Sequence, residues 1–429
     1  MTAVDPAAVP ASPDDSVAPA AAPRGAGSIA VKIVVSLALL AASAPLGIDF
    51  YLASFPAISS SLDTPPTMVQ LTLTGFLWGL GLGQLFWGPI SDRFGRRRPL
   101  IIGASIGAVA SLACALAPNV EILIAARFIQ AVASSAAVVM SRAIIGDLAK
   151  GFGAARTMTL MMSITSMTPV IAPAAGAFLA GELSWRWVLG CIAMVNVVQV
   201  IVVLVVIPET LQARARRATL RFGDLGMVAR RRAFRFYCIV QFFQTGTMMG
   251  YVSSSSFLFQ DIVGVSPQVF GVLFGVNATF LVLAGVTNSK LAGRRIHPAR
   301  TVAKAQPVIL AGSVALLALS LLHIHWLIPV PIFFVVAAAG FVFGNVATLA
   351  QEQSRPVIGA GSAVFGAFNF LGGGLVAMLG GLASESPIPL GILMTCCSLC
   401  SIAAFRAARR TVADNPALEA AFAAAPAGL

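Results

Sequence analysis

Charge is scarce in this sequence. Aspartate, glutamate, lysine and arginine together make up 10% of its 429 residues, against about a quarter in a soluble globular domain. That is too little polar surface to coat a core in water. Histidine is scarcer still. His297, His323 and His325 all fall in turns between apolar stretches and show no metal-ligand constellation. No lysine is followed by serine or threonine, which excludes a phosphate-binding P-loop and, with it, ATP as the direct fuel. No carboxylate pair and no nucleophile beside a base stands out, so enzymatic chemistry has no visible carrier. No basic segment leads directly into an apolar one at the start of the chain, as a secretory signal requires. Residues 1–29, rich in Ala and Pro with Asp5, Asp14 and Asp15, have instead the composition of a disordered tail.

What the chain has is apolar length: 58% of its residues are hydrophobic and its mean hydropathy is +0.89. These values describe an integral membrane protein. Twelve stretches are long enough to span a bilayer as helices, near 31–57, 69–90, 99–117, 120–144, 157–181, 186–207, 234–259, 268–291, 302–322, 327–350, 359–383 and 387–405. The runs are continuous rather than alternating, which disfavours a sheet barrel. The net charge of +12 does not point to nucleic acid, because the basic residues lie in short turns between spans. Turns after even-numbered spans carry Arg93, Arg96, Arg97 and Arg98, then Lys150 and Arg156, Arg214 through Arg235, Arg294, Arg295 and Arg300, and Arg355. The opposite turns hold Arg186 and otherwise acids or histidines, among them Asp63, Glu121, Glu182, Asp261 and Glu385. Positive charge stays in the cytoplasm, so both termini are expected there, which requires an even number of spans.

The longest polar interval, 208–233, divides the spans six and six. The expected organisation is an all-α membrane protein: a cytoplasmic tail (1–29), a six-helix bundle (30–207), a basic cytoplasmic linker (208–233), a second six-helix bundle (234–405) and a tail (406–429). The six cysteines lie in or beside the spans. Cys396 and Cys400 share a helix face, a spacing that a metal accepts but that small residues in a membrane core explain more simply.

Four stretches carry specific chemistry. In GPISDRFGRRRPL, after span 2, Gly88 permits close helix approach, Gly95 permits the turn that ends the helix, and Asp92 sits at the membrane edge ready for a basic partner or a helix N-terminus. A topological loop explains Arg93, Arg96 and Arg97 but not Asp92 between two glycines. In span 1, Asp49 is the only acid well inside an apolar run. An acid at mid-membrane costs about 2.5–3.5 kcal/mol on insertion scales; at about 18 residues, or ~27 Å, from the start of the span, Asp49 belongs to the outer part. It is read either as a proton-binding carboxyl or as a packing hydrogen bond. In span 4, Arg127 lies in RFIQ and needs a partner or water, since arginine does not readily discharge; the alternative is that it snorkels to the outer surface. Arg142, further along the span, reads as an interfacial charge and a partner for the Asp92 loop. In span 5, Pro169, Pro173 and Gly176 bend a helix that its neighbours must re-satisfy.

The order G-x-x-x-D-R-x-G-R-R between spans 2 and 3 closely resembles the signature loop of the major facilitator superfamily. GIDFYLASFPAI, RFIQ, APAAG, VIPET and FLFQDIVGVSPQVFGVLFGVNA resemble the bicyclomycin/chloramphenicol-resistance drug exporters within it, across about residues 31–405. Three departures stand out. Ala53 replaces a common proline in span 1, Ala131 a usual glycine after RFIQ, and Ala172 and Ala177 two usual glycines in span 5. The resemblance implies proton:drug antiport by alternating access in the bacterial inner membrane, with no cofactor beyond the proton gradient, no nucleic-acid partner, and a monomer. It implicates Asp49 and Arg127 in proton coupling. Candidate cavity liners are Tyr51, Phe55, Trp78, Gln241, Phe242 and Gln244, with Met248, Asn277, Asn345, Phe368 and Asn369, an adaptable apolar surface with a few amides to orient polar groups. The alternative is a narrower proton-coupled carrier of one metabolite, but anionic sugars or phosphates would want several cavity cations. Asp92→Asn is expected to impair transport while leaving membrane insertion intact, measured by uptake or efflux alongside membrane yield; lost insertion would reduce the loop to a topological signal.

Overall fold

The computed structural model describes residues 31–149, 151–211, 223–293, 296–355, 357–381 and 386–413. The N-terminal tail, most of the basic linker, Lys150, Arg294, Arg295 and Glu385 lie outside the described residues. The spans, in chain order, are α1 (Val31–Ser61), α2 (Pro66–Phe94), α3 (Arg97–Ala115), α4 (Val120–Leu148), α5 (Gly151–Ser166 and Thr168–Glu182) and α6 (Trp185–Val205), then α7 (Arg232–Phe257), α8 (Pro267–Gly293), α9 (Pro298–Leu321), α10 (Pro329–Gln353), α11 (Ile358–Gly381) and α12 (Pro387–Ala413). A short helix, Gly223–Ala229, precedes α7.

Helices are the form a single span must take, because lipid leaves no water to satisfy a free backbone. Eleven of the described helices are long and apolar enough to cross a membrane. The remaining one, α7, is more polar, with Gln241, Gln244, Thr245, Thr247 and Ser253 through Ser256 all buried along it. Its neighbours explain this: α10, α11 and α12 pack around it, so little of its surface has to satisfy lipid. The large side chains that do point outward, such as Val109, Phe178, Trp187, Val205 and Phe334, are apolar.

In the first bundle α2 and α3 pack on α4, and α3 on α6; in the second, α7 packs on α11 and α12, and α9 on α10 and α12. The bundles meet along two seams, α2 against α11 and α5 against α8. Small residues let these helices close. A Cβ on Gly271 of α8 would stand 2.6 Å from the Ala177 Cβ of α5, and one on Gly81 of α2 would stand 3.2 Å from the Ala367 carbonyl of α11. The bundle has an arginine-rich end, where α2 gives way to α3, and an arginine-poor end, where α5 gives way to α6. Contacts between the bundles crowd toward the second. Gly181 and Ala177 of α5 meet Gln268 and Gly271 of α8. The Gln260 amide, just after α7, donates to the Ala53 carbonyl of α1 at 3.3 Å, and Phe55 packs on Phe257. Nearer the arginine-rich end, Gln84 of α2 meets Gly366 of α11.

Several local features differ from the sequence expectation. Helix α2 runs through Pro89 to Phe94, so Asp92 and Arg93 sit on its last turn rather than in a loop; Gly95 then ends it at φ +90°. Gly88 is not a close-approach site here, because a Cβ on it would meet nothing within 4 Å. Helix α12 continues to Ala413 and carries Arg406, Arg409 and Arg410 on its final turns. Helix α1 breaks after Asp49 into a 3-10 turn, Leu52–Ser54, and resumes at Phe55, so the bend exists without the proline that Ala53 replaces. Helix α5 breaks at Met167, two residues before Pro169, as a missing N–H dictates.

The seam geometry yields a direct test. A Gly181→Cys/Gln268→Cys pair, at a point where the replaced Gln268 side chain is what a Cβ on Gly181 would meet, in a background without the native cysteines, is expected to cross-link on oxidation and stop transport, with activity restored by reductant. Undiminished transport of the cross-linked protein would show that the α5/α8 seam need not part.

Candidate functional site

Arg127 is the centre of the first bundle. Its side chain is fully buried (0% exposed), which settles the two sequence readings against snorkelling. Its guanidinium lies between two rings, 4.1 Å from the Tyr51 centroid and 4.1 Å from the Phe76 centroid. It donates to the Gly47 carbonyl and, at 2.7 Å, to Gln130 Oε1. Gln130 in turn donates to the Ser111 hydroxyl at 2.6 Å, which also accepts from Asn196 at 2.9 Å. Tyr51 is fixed by a 3.0 Å hydrogen bond between its hydroxyl and that of Thr72. One cation thus ties α1, α2, α3, α4 and α6 together. No carboxylate pairs with it among the described residues.

Asp49 takes a different direction. It is 7% exposed and, among the described residues, makes no ion pair. A Cβ on Gly47, two residues earlier, would meet the Phe76 ring of α2, and Asp49 lies about 200° round the helix from that direction. Tyr251 of α7, in the other bundle, is buried. The Tyr251 hydroxyl accepts a 3.0 Å hydrogen bond from Asn277 of α8, and its ring stacks on Phe274. Asp49 and Arg127, expected to work together, share no ion pair or hydrogen bond among the described residues; Arg127 of α4 meets α1 at the Gly47 carbonyl instead.

Gly176 of the span 5 motif makes the bend of α1 possible. A Cβ there would stand 1.7 Å from the Phe50 carbonyl oxygen, so α5 must offer bare backbone where the broken turn of α1 docks. Pro173, on the preceding turn, has its carbonyl 3.1 Å from the Cβ position of Gly271. The motif thus joins the α1 bend on one side to the inter-bundle seam on the other.

The candidate liners separate into groups. Tyr51 and Phe55 meet edge to face at 5.1 Å and are fully buried, with Phe55 against Phe257 of α7. Gln241 donates to Asn369 at 2.6 Å, and Thr245 joins the same oxygen; Gln241 Oε1 and Gln244 Nε2 keep no partner among the described residues. Phe242 packs over Gly372, Met248 is buried and Phe368 is exposed. Asn345 bonds Asn288 at 2.7 Å inside its own bundle. Trp78 donates to the Leu371 carbonyl at 3.3 Å, on the α2/α11 seam.

At the arginine-rich end Arg96 holds a separate cluster. It pairs with Asp92 at 2.7 Å and Asp147 at 3.0 Å, donates to Ser91, and its backbone N–H donates to Glu209 at 2.8 Å. Burial alone would lower its pKa, but the hydrogen bonds to Asp147 and Asp92 outweigh that and push it above the ordinary arginine value. Arg97 donates to the Leu204 carbonyl, pinning α3 to the end of α6. Arg142 is exposed, five residues before Asp147 on α4; the ion pairs of this loop belong to Arg96. Sequence reasoning did not single out Asp147, Glu209, Gly47 or Tyr251. An acid among arginines at a span end was a readable signal for Asp147, whereas Tyr251 had none.

Residues 37–377 match a family model described as Major Facilitator Superfamily. The chain is 34% identical over 404 residues to "Uncharacterized MFS-type transporter YdgK" of Bacillus subtilis (strain 168), covering 92% of this chain and 99% of that one. It is 26% identical over 378 residues to "Bicyclomycin resistance protein homolog" of Haemophilus influenzae, covering 87% and 94%. Among solved structures it is similar to a D-xylose-proton symporter, with a TM-score of 0.69 at 15% identity over 87% of this chain and 96% of that one.

The Gly176 contact gives a graded test. Gly176→Ala is expected to abolish transport and destabilise by about 1–3 kcal/mol, as overpacking does. Gly107→Ala, whose Cβ would meet neighbours only at 3.7 Å and beyond, is expected to be near neutral. Thermal stability and transport of the two variants, side by side, measure the difference.

Proposed function

The chain belongs to the Major Facilitator Superfamily, and from that premise we propose that it is a proton-coupled exporter of small, largely apolar drugs, working by alternating access in the bacterial inner membrane. Members of this family are transporters, and the similarity to a bicyclomycin resistance protein homolog favours drugs over nutrients. The arginine-rich end is assigned to the cytoplasm, with both termini there, by the distribution of basic residues. On that assignment the contacts described between the bundles crowd toward the outside, which is the arrangement expected of an inward-facing state.

The observation that carries the coupling is Asp49. It is an acid in a membrane span, 7% exposed and, among the described residues, without an ion pair, on the residue where α1 breaks. A carboxyl so placed is neutral at least cost and acquires charge when water or a cationic ligand reaches it. Proton and drug then compete by favouring different arrangements, which is all that coupling requires. Arg127 takes no part in proton exchange on this reading; it holds α1 on either side of Asp49, at the Gly47 carbonyl and the Tyr51 ring. The Gln241, Thr245 and Asn369 cluster, with Gln244 beside it, supplies hydrogen bonds without fixed charge. That suits apolar drugs with a few polar groups and gives a phosphate or sugar acid nothing to pair with.

The test is a drug-susceptibility panel in an efflux-deficient host, with and without an uncoupler. Raised tolerance to several apolar drugs, abolished by the uncoupler and by Asp49→Asn, is the expected result. Tolerance that survives the uncoupler rules out proton coupling, and transport of a single metabolite with no drug phenotype favours the narrower carrier.

A further inference from the structure

A groove of about 450 Å³ runs along the arginine-poor half of the molecule, on the flank where α2, α4 and α11 meet. Its floor is one stripe of α2, Leu71, Thr74 and Trp78; one wall is α4, with Glu121 and Phe128, and the other is Met378 of α11. It opens to the membrane, since Ile122 and Ile129 beside it on α4 are 45% and 49% exposed. The lining is apolar except at two points. Glu121 stands on the first turn of α4, at the rim, and among the described residues it has no counter-ion. Thr74 is 3% exposed, and its hydroxyl has no hydrogen-bond partner. That is unusual for a helical threonine, which ordinarily bonds back to its own helix, as Thr72 does to Val69.

We propose that this groove seats a phospholipid whose head group carries a primary ammonium, with the ammonium at Glu121 and an acyl chain along the α2 floor, and that the bound lipid favours the arrangement closed at this end. Charge complementarity selects the head group: the rim acid lies where the chain enters the bilayer, at head-group depth, and a lone carboxylate there suits a hydrogen-bonding cation. Location selects a lipid over a drug, because a groove open to the bilayer is bathed in lipid continuously. The conformational part follows from who builds the walls. Met378 belongs to the second bundle and the rest to the first. The groove exists only while Trp78 is docked on α11, bonded to Leu371 and lying over Gly374. Parting α2 from α11 removes a wall, so a bound lipid opposes that movement. This inference does not depend on what the protein transports.

The test is native mass spectrometry of the full-length protein in detergent, offered phosphatidylethanolamine and phosphatidylcholine with identical chains. The ethanolamine lipid should be retained roughly two- to fivefold more strongly, the size of an exposed ion pair. Glu121→Gln, near-isosteric at an exposed position, should equalise the two lipids, and Ala125→Trp on the α4 wall should lower retention of both. Equal retention by the wild type, a preference that survives Glu121→Gln, or no retained lipid overturns the site. For the conformational part, the Gly181→Cys/Gln268→Cys pair should cross-link faster in ethanolamine-lipid nanodiscs than in choline-lipid nanodiscs, with the difference lost on adding Glu121→Gln. Equal rates overturn that part.

Discussion

A guanidinium buried among apolar helices cannot shed its proton, and the first bundle is arranged around that fact. Arg127 needs donors satisfied and charge offset with no acid at hand. The rings of Tyr51 and Phe76 face it on both sides, a desolvated contact worth about 2 kcal/mol, and the Gly47 carbonyl and Gln130 accept its hydrogen bonds. Gly47 and Tyr51 both lie on α1, so the cation dictates how that helix is turned. The break in α1 follows close behind, and Gly176 must stay bare to receive it.

This fixed rotation separates two charges that the sequence places in one functional set. Arg127 is enclosed and structural in its contacts, while Asp49, buried and without an ion pair among the described residues, is left to respond to what enters between the bundles. The arginine-rich end works independently. There Arg96 gathers Asp92, Asp147 and the Glu209 carboxylate within the first bundle, a cluster that braces the ends of α2, α3, α4 and α6 while the bundles stand apart. Each half of the molecule thus has its own charged clasp at a different depth.

Much of this was legible in the residues. Apolar runs marked the spans and basic turns paired them, because lipid imposes a one-dimensional rule on the chain. The order of Gly, Asp and Arg after span 2 marked the Arg96 cluster, since its partners are mostly local. Asp49 and Arg127 were visible as lone charges in apolar runs. Their orientations were not, because a helix face is assigned only by what packs on it. The role of Gly176 was hidden for the same reason: its constraint is a carbonyl from α1, more than a hundred residues away. The polar α7 was readable as a span but not as an enclosed one, and Trp78 looked like a cavity residue because nothing in its neighbours announces the α11 carbonyl it binds.

The division between a fixed Arg127 and a responsive Asp49 is open to one direct measurement: proton release when a transported drug binds to the purified protein in weakly buffered detergent. Wild type should release protons on binding. Asp49→Asn should still bind the drug but release none, and Arg127→Lys should lose thermal stability before it loses the proton signal of the molecules that remain folded. Undiminished proton release from Asp49→Asn would contradict the assignment of coupling to this carboxyl.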